Sequence, residues 1–320
     1  MTTADRQYTE SAYSLYRNLL FPSLQLLKSN TKNLIIISNG ILNQLNFEVL
    51  LTSKQEVSNK VDYTKLPYLM RDYQVSYAYS TNFLFRTDQL KNLKKSGIYA
   101  GFAPTINYQN IDSTDTFTQI KYETLNNLPL PGAAKEVKQT SNILNGDRWI
   151  GAAATESLFK AKASQYSILH LATHGLINND SPLLSELLFS SDSLNDGLLN
   201  VAEIYGLSLN AELAVLSACN TGVGKSAKGE GSMSISRAFS YAGCPSVMMS
   251  LWEIPDKTTG QLMLNLYQSL KKKAHKAASL RSAKLDYISS VDNPDKAHPY
   301  YWASVVLMGD HGKINIKNNS

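Results

Sequence analysis

Two residues of this 320-residue chain can act as a nucleophile and its base, and each stands at the end of a short apolar run. The first run reads Ile168-Leu169-His170-Leu171-Ala172-Thr173-His174-Gly175; the second reads Leu213-Ala214-Val215-Leu216-Ser217-Ala218-Cys219-Asn220-Thr221-Gly222. Short apolar runs closed by Gly and polar turn residues are what central parallel strands look like, because helices cover both of their faces. In such sheets the functional groups collect beyond the carboxyl ends of the strands, where His174 and Cys219 fall. Neighbouring strands put those ends about 5 Å apart. The imidazole can then take the thiol proton and leave a nucleophilic thiolate. Gly175 lets its own amide approach a substrate carbonyl closely, and with the Cys219 amide it forms an oxyanion hole.

Each residue also has an ordinary reading. A cysteine in an apolar strand is as a rule an inert small hydrophobe, and a lone histidine is commonly structural. The two strand ends, each with its own glycine-bearing turn, lift the pair above that reading. The same loop carries a rival: Cys219-Asn220-Thr221-Gly222-Val223-Gly224-Lys225-Ser226 is one substitution from a phosphate-binding loop, whose pattern requires Gly where Cys219 stands. Such a loop runs straight into a helix at its Lys-Ser pair, whereas Gly229 and Gly231 follow almost at once and disfavour one.

Composition sets the bounds. With 43% hydrophobic and 18% charged residues, the chain is an ordinary folded globule, long enough for one large domain or two small ones. No apolar run approaches the roughly 20 residues that cross a bilayer, and the first ten residues are polar where a signal peptide is apolar. The expectation is a cytoplasmic protein with no membrane contact. The net charge of +5 is spread along the chain. Its one tight cluster, Lys271-Lys272-Lys273, suits a helix C-terminus better than a nucleic-acid surface, so no nucleic-acid partner is expected. Two cysteines, Cys219 and Cys244, argue for a reducing compartment, with Cys244 as buried packing. No HExxH or paired-cysteine spacing is present, so no metal and no other cofactor is expected.

The elements that must hold the pair follow from periodicity. Apolar residues at helical spacing run over 11–28, with Pro22 as a kink. Asn39-Gly40 between two apolar runs predicts a hairpin. Helix and strand material follows over 66–80 and 97–104, and 105–118 is polar enough to be an exposed loop or the seam between two subdomains. The second half alternates: helix 134–144, strand 149–154, helix 155–163, the His174 strand, the Cys219 strand, helix 234–242 capped by Gly243, strand 246–252, helices after Asp256 and around 277–288, and a closing edge strand at 303–308. That alternation implies parallel strands joined by right-handed crossovers. The stretch 176–210 reads as a long polar insertion, and 312–320 as a frayed tail.

The Ala172-Thr173-His174-Gly175 and Leu216-Ser217-Ala218-Cys219-Asn220-Thr221-Gly222 blocks resemble the two signature blocks of the CHAT domain. That family is a caspase-like branch of the cysteine peptidases that also includes separase. The resemblance extends through Leu130-Pro131-Gly132-Ala133, Gly229-Glu230-Gly231, Arg237-Ala238-Phe239, Ser250-Leu251-Trp252 and His298-Pro299-Tyr300-Tyr301-Trp302, and so covers nearly the whole chain. The family usually has Asp where Asn39 stands here. The resemblance implies a caspase-like, mainly parallel sheet flanked by helices. An N-terminal α/β part (1–120) packs against a catalytic part (121–312), and 313–320 is a flexible tail.

It implies a cysteine endopeptidase with His174 as catalytic histidine and Cys219 as nucleophile, acting on a protein substrate without a cofactor. A substrate pocket would draw on Ser217, Trp252, Glu253 and Asp256, and its acidic wall would favour Arg or Lys. Each acid has a plainer role available, Asp256 as a helix cap and Glu253 as a solvated charge. His170 reads as packing behind the site. CHAT domains often follow tetratricopeptide repeats, yet no period of roughly 34 residues is visible. Control would then come from a sensor domain or a regulatory partner. The alternative function is a catalytically silent caspase-like interaction module.

Overall fold

The computed structural model describes residues 3–56, 60–84, 95–105, 130–178, 180–217, 220–222 and 230–316. Along the chain run β1 (Asn33–Ile36), β2 (Gln74–Tyr77), β3 (Gly97–Ala103), β4 (Asp147–Ile150), β5 (Tyr166–Leu171), β6 (Gly175–Ile177), β7 (Glu186–Leu188), β8 (Leu198–Asn200), β9 (Leu213–Leu216), β10 (Asn220–Gly222), β11 (Ser246–Ser250) and β12 (Val305–Gly309). Eight of them form one sheet in the order β1-β2-β12-β11-β9-β5-β3-β4. Every pairing in it is parallel except β11 with β12.

Alternation within each strand explains why the sheet is buried on both faces. On one side Ile168, Leu213, Val215 and Met248 pack with Met263, Leu266, Tyr267 and Leu280, which come from the helices Asp256–Lys273 and Lys276–Ser290. On the other, Leu169, Leu171, Ala214, Leu216 and Met249 pack with Phe159, Ile204, Ile235 and Phe239 from the helices Glu156–Lys162, Val201–Gly206 and Glu230–Tyr241. Burying a large apolar side chain contributes about 1.5–3 kcal/mol, so the neighbours β5 and β9, lined on both faces, are firmly anchored in the sheet.

Several local expectations hold. The helix expected over 155–163 forms as Glu156–Lys162, with the Thr155 side chain accepting the Leu158 amide at its start. The three lysines 271–273 occupy the last turn of Asp256–Lys273. Gly243 follows Glu230–Tyr241 with φ +109°, and an added Cβ there would lie 2.5 Å from the Leu209 carbonyl oxygen, so only glycine fits. The Pro22 kink takes the form of a π-helical turn, Tyr16–Leu20, between Thr3–Leu15 and Phe21–Leu24.

Others are corrected. Asn39-Gly40 makes no hairpin. The Asn39 side chain accepts the Gly40 amide at 2.7 Å, Gly40 takes φ +59°, and the chain turns into the 3-10 helix Gly40–Gln44. β1 then finds a parallel partner in the distant β2. Strand 149–154 stops at Ile150, where Gly151–Ala153 forms a 3-10 turn. β12 is not an edge but lies between β11 and β2. The stretch 176–210 is no open loop. It supplies three strands of a second sheet, order β10-β6-β7-β8, and buries Leu187, Leu188, Phe189, Leu199, Val201 and Ile204. Its polar residues are turn and cap positions, such as the capping box of Asn200 and Glu203. The tail is tied down as far as it is described: Ile314 is buried and its amide donates to the Ala274 carbonyl at 2.9 Å. The expected seam at 105–118 falls, apart from Thr105, outside the described residues, as do the 120/121 boundary and 317–320. β1, β2 and β3, all N-terminal to that boundary, share the large sheet with the strands that follow it.

The block from His298 to Trp302 is a structural brace. Trp302 is fully buried against Tyr68, with ring centroids 5.0 Å apart. Two histidines start helices as acceptors: His298 Nδ1 takes the Tyr300 amide at 3.1 Å, and His275 Nδ1 takes the Ala278 amide at 3.4 Å. Burial lowers the pKa of both from the usual 6.5. Below that value the unfolded chain binds protons that the folded chain refuses, so stability falls as pH drops from about 6.5 toward the lowered folded values. Urea midpoints measured at pH 7.5 and 5.5 should show this loss, and His298→Asn, which keeps a cap without a titrating ring, should reduce it.

Candidate functional site

Where β5 ends, the backbone leaves the large sheet and joins the small one. Ala172 still donates to the Phe102 carbonyl at 2.9 Å, but the His174 carbonyl already accepts the amide of Leu188 at 3.0 Å. The Thr173 hydroxyl donates to the Leu188 carbonyl. His174 therefore sits at the seam of the two sheets, buried, with its backbone held by the last residue of β7. Gly175 opens β6. A Cβ added there would come no closer than 3.7 Å to the Leu187 side chain, an ordinary contact, so the described packing does not by itself demand glycine.

β9 makes the same crossing beside it. Leu171 pairs with Leu216 in the large sheet, and Gly175 pairs with Asn220 in the small one, both in parallel register. Between them the Ser217 amide donates to the Leu171 carbonyl at 3.0 Å. Ala218 and Cys219 lie outside the described residues, as do 223–229, which hold the second half of the rival phosphate-loop pattern. The helix that follows begins at Glu230, beyond the Lys225-Ser226 pair.

The expected pocket residues occupy different situations. Ser217 is buried at the end of β9. Trp252, just past β11, donates its indole N–H to the Tyr300 carbonyl at 2.9 Å, which holds its ring in place. Asp256, half-buried in the first turn of its helix, accepts the Gly132 amide at 3.4 Å. It thereby joins the Leu130-Pro131-Gly132-Ala133 block to the end of β11. Glu253 is exposed and makes no ion pair among the described residues.

His170 belongs to another environment. It is fully buried, with Nδ1 2.9 Å from the Tyr267 hydroxyl and Nε2 2.9 Å from the Glu136 carboxylate. Both ring nitrogens are committed beneath the sheet, as packing requires of a buried polar group. Cys244 is buried, its thiol donates to the Ser246 carbonyl at 3.3 Å, and burial pushes its pKa up to about 12. It is an inert thiol. Among the described residues no group of His, Cys, Asp and Glu could hold a metal ion, and no helix is long and apolar enough to cross a membrane.

Sequence reasoning missed two buried ion pairs. Glu48 meets Lys284 at 2.6 Å with both side chains essentially inaccessible, and Asp310 meets the buried Lys276 at 2.6 Å. A glutamate inside the apolar run around Phe47-Glu48-Val49 is the only hint the sequence carries. Its partner, 236 positions away, leaves none.

A mixed α/β domain with an eight-stranded, mainly parallel sheet and helices on both faces defines a caspase-like fold, the fold of a class of cysteine peptidases. The match to the CHAT domain spans residues 9–310, and the chain belongs to the CHAT domain family. Human tetratricopeptide repeat protein 28 is 27% identical over 222 residues, covering 58% of this chain; the chain spans only 9% of that protein's length. The crystal structure of the Arg specific cysteine proteinase gingipain R (RgpB) superposes with TM-score 0.50 at 8% identity, covering 96% of this chain and 67% of that one. The complex of Porphyromonas gingivalis RgpB pro- and mature domains gives TM-score 0.51 at 9% identity over 95% and 68%. At such identities the likeness is one of fold.

Proposed function

We propose that the chain is a cysteine endopeptidase of the caspase-like type, with Cys219 as nucleophile and His174 as its base. The supporting observation is the register Gly175 to Asn220. His174 precedes Gly175 and Cys219 precedes Asn220, each within one Cα step of about 3.8 Å, on strands whose spacing is about 4.8 Å. In this reading the imidazole takes the thiol proton and the thiolate attacks the peptide carbonyl. The Gly175 and Cys219 amides hold the oxyanion, and the imidazolium protonates the leaving amine before water releases the acyl enzyme.

The pocket reads a basic residue through Glu253. Asp256 already accepts an amide hydrogen bond from Gly132, Trp252 is fixed as wall and Ser217 forms the floor, so Glu253 is the carboxylate left for a cation. The partner is a protein substrate. Control is exerted by a repeat domain or a regulatory protein, in keeping with a relative named for tetratricopeptide repeats.

The test is mass spectrometry of the protein after exposure to acyloxymethyl ketone peptides bearing Arg, Lys, Leu or Asp beside the warhead. A single adduct on Cys219, absent in His174→Gln and never on Cys244, is expected with Arg or Lys. Glu253→Gln should erase most of that preference, on the order of tenfold or more. Labelling that ignores His174 overturns the dyad. Equal labelling by the Leu peptide overturns the acidic pocket.

A further inference from the structure

A cavity of about 480 Å³ opens on the far side of β11 from β9, at the carboxyl ends of β1 and β2. Small-molecule sites run from about 300 to 1,000 Å³. Leu45, Met233, Leu251 and Met308 give it apolar walls, and among the described residues no acidic one lines it. Its polar lining is rich in donors. Asn39 and Asn43 use their carbonyl oxygens locally, accepting the Gly40 amide and the Ser38 hydroxyl, which leaves their amide N–H groups for a ligand. The hydroxyls of Ser80 and Thr81 lie on the same wall.

Among the described residues that line the cavity, Arg237 supplies the only charge. It is exposed, makes no ion pair among the described residues, and its guanidinium is held over the Tyr79 ring at 5.3 Å from the centroid. The Tyr79 hydroxyl donates to Ser236 on the same helix. One oriented guanidinium among neutral donors and apolar walls matches a monoanion with an apolar body. Polyanions such as phosphate esters call for several cations or converging backbone amides.

We propose that this cavity binds a small amphipathic carboxylate, with its carboxylate on Arg237 and its apolar body against Leu45, Leu251 and Met308, and that occupancy is felt at Cys219. The coupling follows from connectivity. Met233 and Arg237 lie on Glu230–Tyr241, the next described element after β10. A ligand that holds this helix acts on the described element that follows β10 in the chain, and β10 begins directly after Cys219. The site stands on its own; the coupling rests on Cys219 as the nucleophile.

Titration calorimetry with octanoate tests the site, with acetate, 1-octanol and inorganic phosphate as controls. Octanoate should bind, and each control should bind at least about tenfold more weakly. Arg237→Met, at an exposed position, should weaken octanoate by about tenfold or more. Asn39→Asp keeps the acceptor for Gly40 while placing a carboxylate in the cavity, and should weaken it comparably should Arg237→Met fail to fold. No octanoate binding, equal binding by both variants, or equal binding of phosphate overturns the proposal. So does binding of a blocked Leu-Glu-Leu peptide without octanoate, which would make the occupant a peptide. For the coupling, saturating octanoate should change the rate of Cys219 alkylation by iodoacetamide about fivefold or more. Binding with an unchanged rate overturns the coupling alone. Neither readout requires peptide cleavage, so failure of the peptidase reading is told apart from failure of this one.

Discussion

Cys219→Ala should remove cleavage of a matched Arg or Lys peptide by at least about 10⁴-fold, since the proposed acyl enzyme forms on the Cys219 thiolate. His174→Gln costs about 10²–10⁴-fold, because a thiol whose ordinary pKa is about 8.5 keeps only a few per cent of thiolate at neutral pH without its base. The two signatures differ. Raising the pH should restore part of the His174→Gln rate, as the thiol ionises unaided, and none of the Cys219→Ala rate. Continuous fluorogenic assays from pH 6 to 9 read this directly. His174 is buried at the seam of the two sheets, so its variant also loses about 1–2 kcal/mol of stability. Thermal melts set the temperature at which both variants are compared fully folded. Cleavage by Cys219→Ala at the wild-type rate would falsify the assignment, and so would a His174→Gln profile parallel to wild type.

Glu48→Gln lowers unfolding free energy by about 3–5 kcal/mol, because it leaves Lys284 as an unpaired charge in the core. The pair spans the fold, from the turn after β1 to the helix Lys276–Ser290, with oxygen and nitrogen 2.6 Å apart. Burial already lowers the pKa of Lys284, and Glu48 is the group that opposes this. Without Glu48 the pKa drops further, and a neutral amine is cheaper to bury than an ammonium. The sign follows from proton counts. With a folded pKa below the unfolded one, the unfolded chain holds more protons in that window, so stability rises with pH through it. The Glu48→Gln deficit should therefore shrink between pH 7 and 10. The double variant Glu48→Met with Lys284→Met should recover most of the loss, as apolar replacements of buried pairs do. Urea unfolding at three pH values checks both claims; a pH-independent deficit would sink the ion-pair account.

Part of the sequence-based reading failed at identifiable places, each time where a local signal met a distant partner. Asn39-Gly40 has the chemistry of a hairpin turn, yet β1 pairs in parallel with β2, because the intervening segment folds back through two 3-10 helices. The run at 303–308 has strand composition, but its place between β11 and β2 is a matter of sheet order, which composition does not encode. The polar stretch 176–210 concealed a second sheet, since short strands such as Leu198–Asn200 carry too few residues for alternation to register.

What the sequence determined by itself is the central parallel strands β5, β9 and β11, the helices beside them and the placing of His174 and Gly175 at a strand end. Those follow from local patterns: apolar runs with closing glycines, helical apolar stripes and capping residues, all read within a few residues of one another. What only the tertiary structure decided is which distant groups share a space. It set the register of Gly175 with Asn220, the meeting of Glu48 with Lys284, the seating of His170 between Glu136 and Tyr267, and the stacking of Arg237 on Tyr79 at a cavity mouth. The physical reason is that contacts between residues far apart in sequence are set by how whole faces pack, and no single stretch of chain carries that information.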